Sequence, residues 1–304
     1  MRAKVMRFVR DATYRLAVAT RYPAYLRRRG AAIFAFHNVV ADDGVPERCD
    51  RSLHVQLSEV QDYISVIADG HTVVPLVEIA DRVRRHRTVD GLAAITFDDA
   101  YRGVVRHALP VLKRRGLPAT LFVVSGAAAA PAPFWWDVLG TNGGLPENVR
   151  TAALHGLHGD RELVLAQHAK GESALPPDLF PADWQEIRAA ARQGVSIGSH
   201  TALHRNLASI GPEEALVELE RSHAELGAAL GARPSEVSYP YGLHNDSVLE
   251  AARRAGYDAG VTLKFDLARR DSDPLAMPRI NVPAGISTSA LACWAAGLRL
   301  RGAP

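Results

Sequence analysis

The 304-residue chain has no run of about 18 apolar residues, so the sequence offers no membrane-spanning helix. It has only two cysteines, Cys49 and Cys293, too few and too far apart for a disulfide framework or a thiolate metal site. A reducing compartment is the natural reading. No internal repeat is visible. Aromatic residues make up 7% and do not interleave with basic ones, so a nucleic-acid surface is not expected. The basic N-terminus lacks the uninterrupted 7–15-residue apolar core of a signal peptide. What remains is ordinary globular composition, with 47% hydrophobic and 23% charged residues, enough for one large α/β domain or two small ones.

Charge is unevenly placed. Residues 1–30 hold nine basic residues (Arg2, Lys4, Arg7, Arg10, Arg15, Arg21, Arg27, Arg28, Arg29) against one acid, Asp11, whereas the remainder has 27 basic and 32 acidic residues. Val5, Phe8, Val9, Ala12, Leu16 and Ala19 recur at helical spacing. Residues 1–30 therefore read as a basic helical segment, either lying on anionic lipid or docked on the body as a solvated helix. The expectation is a cytoplasmic protein in peripheral contact with the inner face of the membrane through residues 1–30, with residues 31–304 as the main domain.

Along that domain, short apolar runs alternate with helical patterns. Strands are predicted at 31–36, 72–74, Leu92–Phe97, 119–124, 195–197, 237–238, 259–262 and 276–280. Leu57, Val60, Ile64 and Ile67 mark a helix, and further helices are expected at 76–83, 104–115, Trp184–Arg192, Pro212–Leu230, 247–255 and 288–298. Such alternation implies an α/β fold with a parallel sheet and helices outside. The rhythm breaks near 126–182, read as an insertion with one helix at Arg161–His168. Its Phe134-Trp135-Trp136-Asp137 run is either a sugar-stacking platform or local core.

In such folds chemistry gathers at the carboxyl ends of strands. Four predicted strand ends deliver polar groups: His37, Asp98-Asp99, His200 and Tyr241-Gly242. His200 and His204 are four apart, a spacing that places two imidazoles on one face of a helical turn. Two His and one Asp form the three-ligand set of a catalytic divalent ion, with zinc or another late first-row ion as the natural occupant. His155, His158, His168 and His223 have no convergent partner and read as surface. A competing match, Gly194-Val195-Ser196-Ile197-Gly198, fits the G-x-S-x-G of serine hydrolases, but Ser196 falls inside a predicted strand.

Thr96-Phe97-Asp98-Asp99, Gly198-Ser199-His200-Thr201-Ala202-Leu203-His204 and Ser238-Tyr239-Pro240-Tyr241-Gly242 occur in this order. Together they resemble the polysaccharide deacetylase family, whose catalytic region is the NodB-homology domain (carbohydrate esterase family 4-like), over roughly residues 31–285. The resemblance implies a distorted (β/α) barrel of about seven parallel strands. It implies removal of an N-acyl group, chiefly N-acetyl, from an amino sugar in a polysaccharide, nascent glycan or lipid-linked sugar, with release of acetate. Asp99, His200 and His204 are then the metal ligands, for Zn2+ or alternatively Co2+, Ni2+, Mn2+ or Fe2+. Asp98 is the general base, and the backbone N–H of Tyr241 meets the oxyanion. The family often has an Arg where this chain has Ser238, and Arg279 is the candidate replacement. The family's late Leu-x-x-His motif is absent, so His37 becomes the candidate acid, with His244 next. Alternatives are a serine esterase using Ser196, a deformylase of a lipid-linked formamido sugar, and a non-catalytic binding module on the same barrel.

Overall fold

The computed structural model describes residues 2–22, 29–44, 49–140, 144–169 and 175–300. The side chains of Arg2, Lys4, Val5, Arg7 and Phe8, and the residues Arg27 and Arg28, lie outside that description. The strands are β1 (Ala32–Phe36), β2 (Asn38–Val40), β3 (His54–Gln56), β4 (Thr72–Val73), β5 (Leu92–Phe97), β6 (Thr120–Val123), β7 (Ser196–Ser199), β8 (Glu236–Ser238), β9 (Ala259–Val261) and β10 (Ile280–Asn281). Seven of them form a curled parallel sheet in the order β10-β1-β5-β6-β7-β8-β9, and β4 pairs with the start of β5. This is a distorted (β/α) barrel.

The sequence explains the pattern. β1 is buried at all five positions and β5 at its last five, as expected of parallel strands covered on both faces. Their register places Phe36 beside Phe97, so β1 and β5 end together and His37 and Asp98 leave the sheet at the same level. The helices close the outside. Leu57–Gly70 starts with a reciprocal capping box between Gln56 and Glu59 and buries Val60, Tyr63, Ile64 and Ile67. Pro212–Leu230 begins with Pro at its first position and stops at Gly231 in the left-handed conformation. The barrel has no regular ladder between β9 and β10; the link there is the bridge Val261–Met277, ahead of β10, with backbone bonds from Met277 N to Gly260, Thr262 N to Met277 and Arg279 N to Lys264.

Several local expectations change. The helix read over 104–115 begins as a π-turn, Val104–Ala108, before Leu109–Arg114. Pro110 has no N–H and its ring crowds the carbonyl four residues back, which favours the wider turn. The strand read over 276–280 reduces to β10, since Pro278 cannot donate to a ladder. The 126–182 insertion holds more than one helix: Ser125–Ala129 at its start, Trp135–Leu139, Glu147–Thr151 running into a π-turn at Ala152–Gly156, and Arg161–His168. β2 and β3 form a small parallel pair of their own, too short to show a sequence period.

The N-terminal helix Arg2–Ala19 packs on Thr288–Trp294. Tyr14 is the anchor: it is buried, and its hydroxyl accepts from Trp294 Nε1 (3.0 Å) and Leu300 N (3.0 Å).

A tight point in the sheet tests the packing. Gly198 on β7 faces Phe122 on β6, and a Cβ there would lie 2.5 Å from the ring. Gly198→Val should lower stability by about 1–3 kcal/mol through overpacking, read as an earlier denaturant midpoint with unchanged slope.

Candidate active site

The carboxyl ends of the strands open onto a cleft of about 400 Å³. His37, Asp98, Asp99, His200, His204 and Tyr241 all line it. At its floor, one ligand atom each from Asp99, His200 and His204 lie within 4.8 Å of one another, and all three residues are buried. Asp99 Oδ1 is 3.4 Å from His200 Nε2 and 3.3 Å from His204 Nε2, and the two Nε2 atoms are 3.2 Å apart. His200 Nδ1 lies 2.7 Å from the carbonyl of Ser238. A carbonyl only accepts, so Nδ1 carries the proton and Nε2 turns its lone pair to the cluster. This is the outer-shell arrangement that orients a metal-binding imidazole. Burial pushes the Asp99 carboxyl up, but the His200 and His204 imidazoles beside it outweigh burial and hold Asp99 well below the usual carboxylate range. An anionic oxygen and two imidazole nitrogens facing one point are the donor set of a divalent transition ion, and the residues fit one.

The histidine spacing works differently from the helical expectation. His200–His204 is not a helical turn but a loop with left-handed Thr201 (φ 66°) and His204 (φ 58°). Asp99 (φ 66°), Ala100 (φ 51°) and Tyr241 (φ 58°) are left-handed too, so five of the eight described non-glycine residues with positive φ gather at this cleft. Such backbone costs of order 1–3 kcal/mol per residue and persists only where neighbours impose it. Here Ser125 N and Gly126 N donate to the carbonyls of Thr201 and Ala202, Glu218 accepts from Leu203 N, and Thr201 Oγ1 accepts from His204 N. Glu218 is thus a buried support that no sequence pattern singled out.

Beside the cluster stands a second carboxylate with a different partner. Arg279 is completely buried and grips Asp98 with two parallel bonds, Nη1 to Oδ1 (2.8 Å) and Nη2 to Oδ2 (2.6 Å). The same guanidinium donates to Thr96 Oγ1, Ser238 Oγ and the Thr262 carbonyl. Ser238 Oγ also reaches Asp98 Oδ2 at 3.2 Å. Burial raises Asp98, yet the Arg279 charge, with His200 adding to it, leaves its carboxyl below the ordinary value. Asp98 is therefore a fixed, ionised acceptor next to the cluster.

The insertion supplies the cleft's wall. Trp136 stacks on Phe134 (4.7 Å, 4°) and meets the His204 ring at 4.8 Å, and Tyr241 meets the same ring at 4.6 Å. Trp135 Nε1 donates to the Tyr241 hydroxyl at 3.3 Å. Trp135 and Trp136 are both core and lining: buried, and facing the cleft. Behind them runs a closed polar chain. Trp136 Nε1 donates to Tyr101 Oη (2.7 Å), Tyr101 Oη to Asp137 Oδ2 (2.7 Å), and His54 Nε2 to Asp137 Oδ1 (2.8 Å). Asn38 accepts from Val39 N through Oδ1, so its amide nitrogen is left to face the Asp178 carbonyl and His54 Nδ1. Every member of this chain is buried. No sequence pattern assigns a role to His54, Tyr101 or Asn38, and Asp137 stands out only as the end of the aromatic run Phe134-Trp135-Trp136-Asp137.

Other residues separate cleanly. His37 is half-buried in the cleft, where burial lowers its basicity against the opposing pull of Asp99 and Asp98. Tyr241 occupies a sharp turn with Gly242 (φ 70°), whose missing side chain admits Leu263. His244 stacks on Tyr239 outside the cleft lining. Ser196 pairs with Thr120 at the start of β7, the end opposite His200, so it is not a nucleophile at a turn. Of the histidines read as surface, His155 is exposed but lines the cleft rim, and His223 is buried against Tyr257 with a contact to the Pro234 carbonyl. His158 contacts Ser209 Oγ, and His168 is partly buried. Arg150 and Asp50 pair at the rim (2.7 Å).

A parallel barrel with an Asp-His-His cluster and an arginine-held carboxylate at its strand ends is the architecture of a hydrolase. Residues 85–260, more than half of the chain, match the family model for polysaccharide deacetylase, and the chain belongs to that family. YxkH of Bacillus subtilis, a protein named for the same family, is 25% identical over 245 residues, covering 80% of this chain and 71% of its own. IcaB from Ammonifex degensii superposes with a TM-score of 0.63 at 21% identity, covering 88% of this chain and 97% of that one. The Streptococcus pyogenes deacetylase PplD, solved with acetate, gives 0.60 at 18% identity, covering 85% and 95%. At these identities the two structures establish the fold.

Two substitutions probe the supports. Arg279→Met leaves a buried carboxylate unpaired, and stability should fall by about 3–5 kcal/mol, read by chemical unfolding. Asp137→Asn keeps the volume but strands one donor of the chain behind Trp136. It should cost about 1–3 kcal/mol and alter tryptophan fluorescence, whereas Asp43→Asn in an exposed loop should do neither.

Proposed function

We propose that this chain hydrolyses the N-acyl group, N-acetyl above all, of an amino sugar within a glycan, using a divalent metal held by Asp99, His200 and His204. The observation that carries this reading is the pairing of two unlike carboxylates at one strand end: Asp99 faces two imidazole nitrogens, Asp98 a buried guanidinium. A divalent ion in that cluster supplies Lewis acidity, acidifying water to a pKa of roughly 7 and polarising an amide carbonyl; zinc is the occupant we favour.

The chain's own residues do the rest. Asp98, kept ionised by Arg279, takes the proton from the attacking water as its oxygen bonds to the acyl carbon. Negative charge then grows on the former carbonyl oxygen, toward which the turn at Tyr241 offers a backbone N–H with no acceptor among the described residues. An amine leaves poorly unless its nitrogen is protonated, and His37 provides that proton as the C–N bond breaks. The products are a free amino sugar and acetate. Trp135 and Trp136 exclude water from one side, and Trp136 with Tyr241 holds the His204 ring. Release of formate from a formamido sugar would use the same residues, and substrate comparison separates the two.

Loss of bound zinc is expected for His200→Ala and His204→Ala, measured by elemental analysis after dialysis. Full retention in both would overturn the ligand assignment. Asp98→Asn should keep the metal and lose turnover by roughly two to four orders of magnitude. If Asp98→Asn loses the metal while Asp99→Asn keeps it, the two carboxylates have exchanged roles. His37→Ala should retain metal and fold, and lose more activity on an amide than on an ester of similar shape, because an alkoxide depends less on protonation. Equal losses on both would remove His37 as the acid.

A further inference from the structure

The N-terminal helix is docked by the face opposite its apolar stripe. Tyr14 and Ala17 turn to the body, and Asp11 accepts from Ser287 Oγ at 3.3 Å. Val9, Ala12, Leu16 and Ala19, at i, i+3, i+7 and i+10, are all exposed, with Val9 at 55% and Leu16 at 67%. Residues 120° or more around a helix from its docked side cannot share its contacts, so this stripe has no partner within the described chain. Of eight exposed large hydrophobic residues among those described, Val9 and Leu16 lie on this stripe; Val18, on the Tyr14 side of the helix, and Tyr22, beyond its end, are exposed as well.

The charge beside the stripe has one sign. Arg15 and Arg21 are exposed and Arg10 half-buried. The only acid of residues 1–30, Asp11, faces inward to Ser287. An exposed apolar stripe with Arg15 beside it and Arg21 just past the helix end, and with the segment's acid turned inward, is complementary to an anionic lipid surface. A second copy of this positively charged helix would set like charges against each other.

The placement relative to the cleft is informative too. Ser287 caps the start of Thr288–Trp294, and Ala284, just before it, donates to the carbonyl of Ser52. Ser52 and Asn281, the last residue of β10, both line the cleft. Asp11 meets this mouth-side end of the helix, whereas Tyr14 reaches Trp294 at its far end. The N-terminal half of Arg2–Ala19 therefore lies toward the cleft rim.

We propose that the outward face of the N-terminal helix binds an anionic bilayer and holds the cleft mouth at that surface, so that the substrate is an amino sugar carried on a lipid. The substrate half of this proposal rests on the deacetylase reading; the membrane half does not. Binding draws on insertion of Val9 and Leu16 between headgroups and on attraction of the arginines to lipid phosphates, and it weakens as salt screens the second contribution.

The test is sedimentation of the full chain, without substrate, with vesicles of phosphatidylcholine alone or mixed with phosphatidylglycerol. The wild type should sediment with the anionic vesicles only, and less at high salt. A Val9→Asp/Leu16→Asp variant, altered only at exposed positions, should keep its unfolding midpoint and lose at least about tenfold in binding. It should hydrolyse a soluble N-acetylated amino-sugar oligomer at the wild-type rate but a lipid-linked one in anionic vesicles more slowly. Equal sedimentation of variant and wild type, or none by the wild type, overturns the membrane face. A wild-type dimer that the variant dissociates, with no vesicle binding, would assign the stripe to a second copy instead. Vesicle binding by the wild type that the variant loses, with lipid-linked turnover unchanged in the variant, overturns the substrate half alone. Absence of hydrolysis on every substrate, with vesicle binding intact, would count against the deacetylase reading and leave the membrane face standing.

Discussion

One buried guanidinium ties this structure together. Arg279 lies between β9 and β10, where the barrel has no regular ladder, and its five hydrogen bonds reach Thr96 on β5, Asp98 just beyond it, Ser238 on β8 and Thr262 just beyond β9. It thereby joins the end of β5 to the paired ends of β8 and β9, which are not its neighbours in the sheet. It also determines the state of Asp98: an unpaired carboxylate in this interior would take up a proton, whereas the bidentate pair keeps it ionised and immobile. A pair this deeply buried is a poor source of net stability, because desolvation of both ions offsets most of their attraction. Its presence at the strand end next to Asp99 fits a chemical role better than a structural one. Two adjacent carboxylates that leave the same strand are thus given different partners and different properties.

The remainder of the site follows from how those partners are held. The loop carrying His200 and His204 takes up left-handed backbone at two positions and is fastened by Ser125, Gly126 and Glu218. His200 is oriented through its Nδ1–H, whereas His204 Nδ1 has no hydrogen-bond partner in the described structure. Its ring is fixed by aromatic contact with Trp136 and Tyr241 instead. That makes the insertion part of the site. The chain Asn38–His54–Asp137–Tyr101–Trp136 satisfies each of its polar groups away from water, and a fully satisfied buried network rigidifies what it touches.

How far the sequence alone reached depends on range. Strand ends were legible because apolar runs such as Leu92–Phe97 stop abruptly at charged residues, and that placed His37, Asp98-Asp99 and His200 at one mouth. The helix at Arg161–His168 was legible from its local period. Contacts across long separations were not: Arg279 lies 181 residues from Asp98, and Asp137 lies 83 from His54. Arg279 was singled out only because the family resemblance left a position at Ser238 to be filled. The His200–His204 spacing suggested a helical turn, but tertiary hydrogen bonds imposed a loop, as they readily do over four residues. In the N-terminal helix, periodicity identified an apolar stripe but not which side docks, because one aromatic residue, Tyr14, outweighs four small or medium apolar ones.

The central claim is that Asp99, His200 and His204 form a single metal site beside an arginine-held base. Anomalous scattering from a crystal grown with zinc tests it most directly. One peak should appear about 2.0–2.2 Å from an Asp99 carboxylate oxygen and from Nε2 of both His200 and His204, with Asp98 still bonded to Arg279. A peak bound to Asp98 in place of Asp99, or no peak among these three residues, would contradict it.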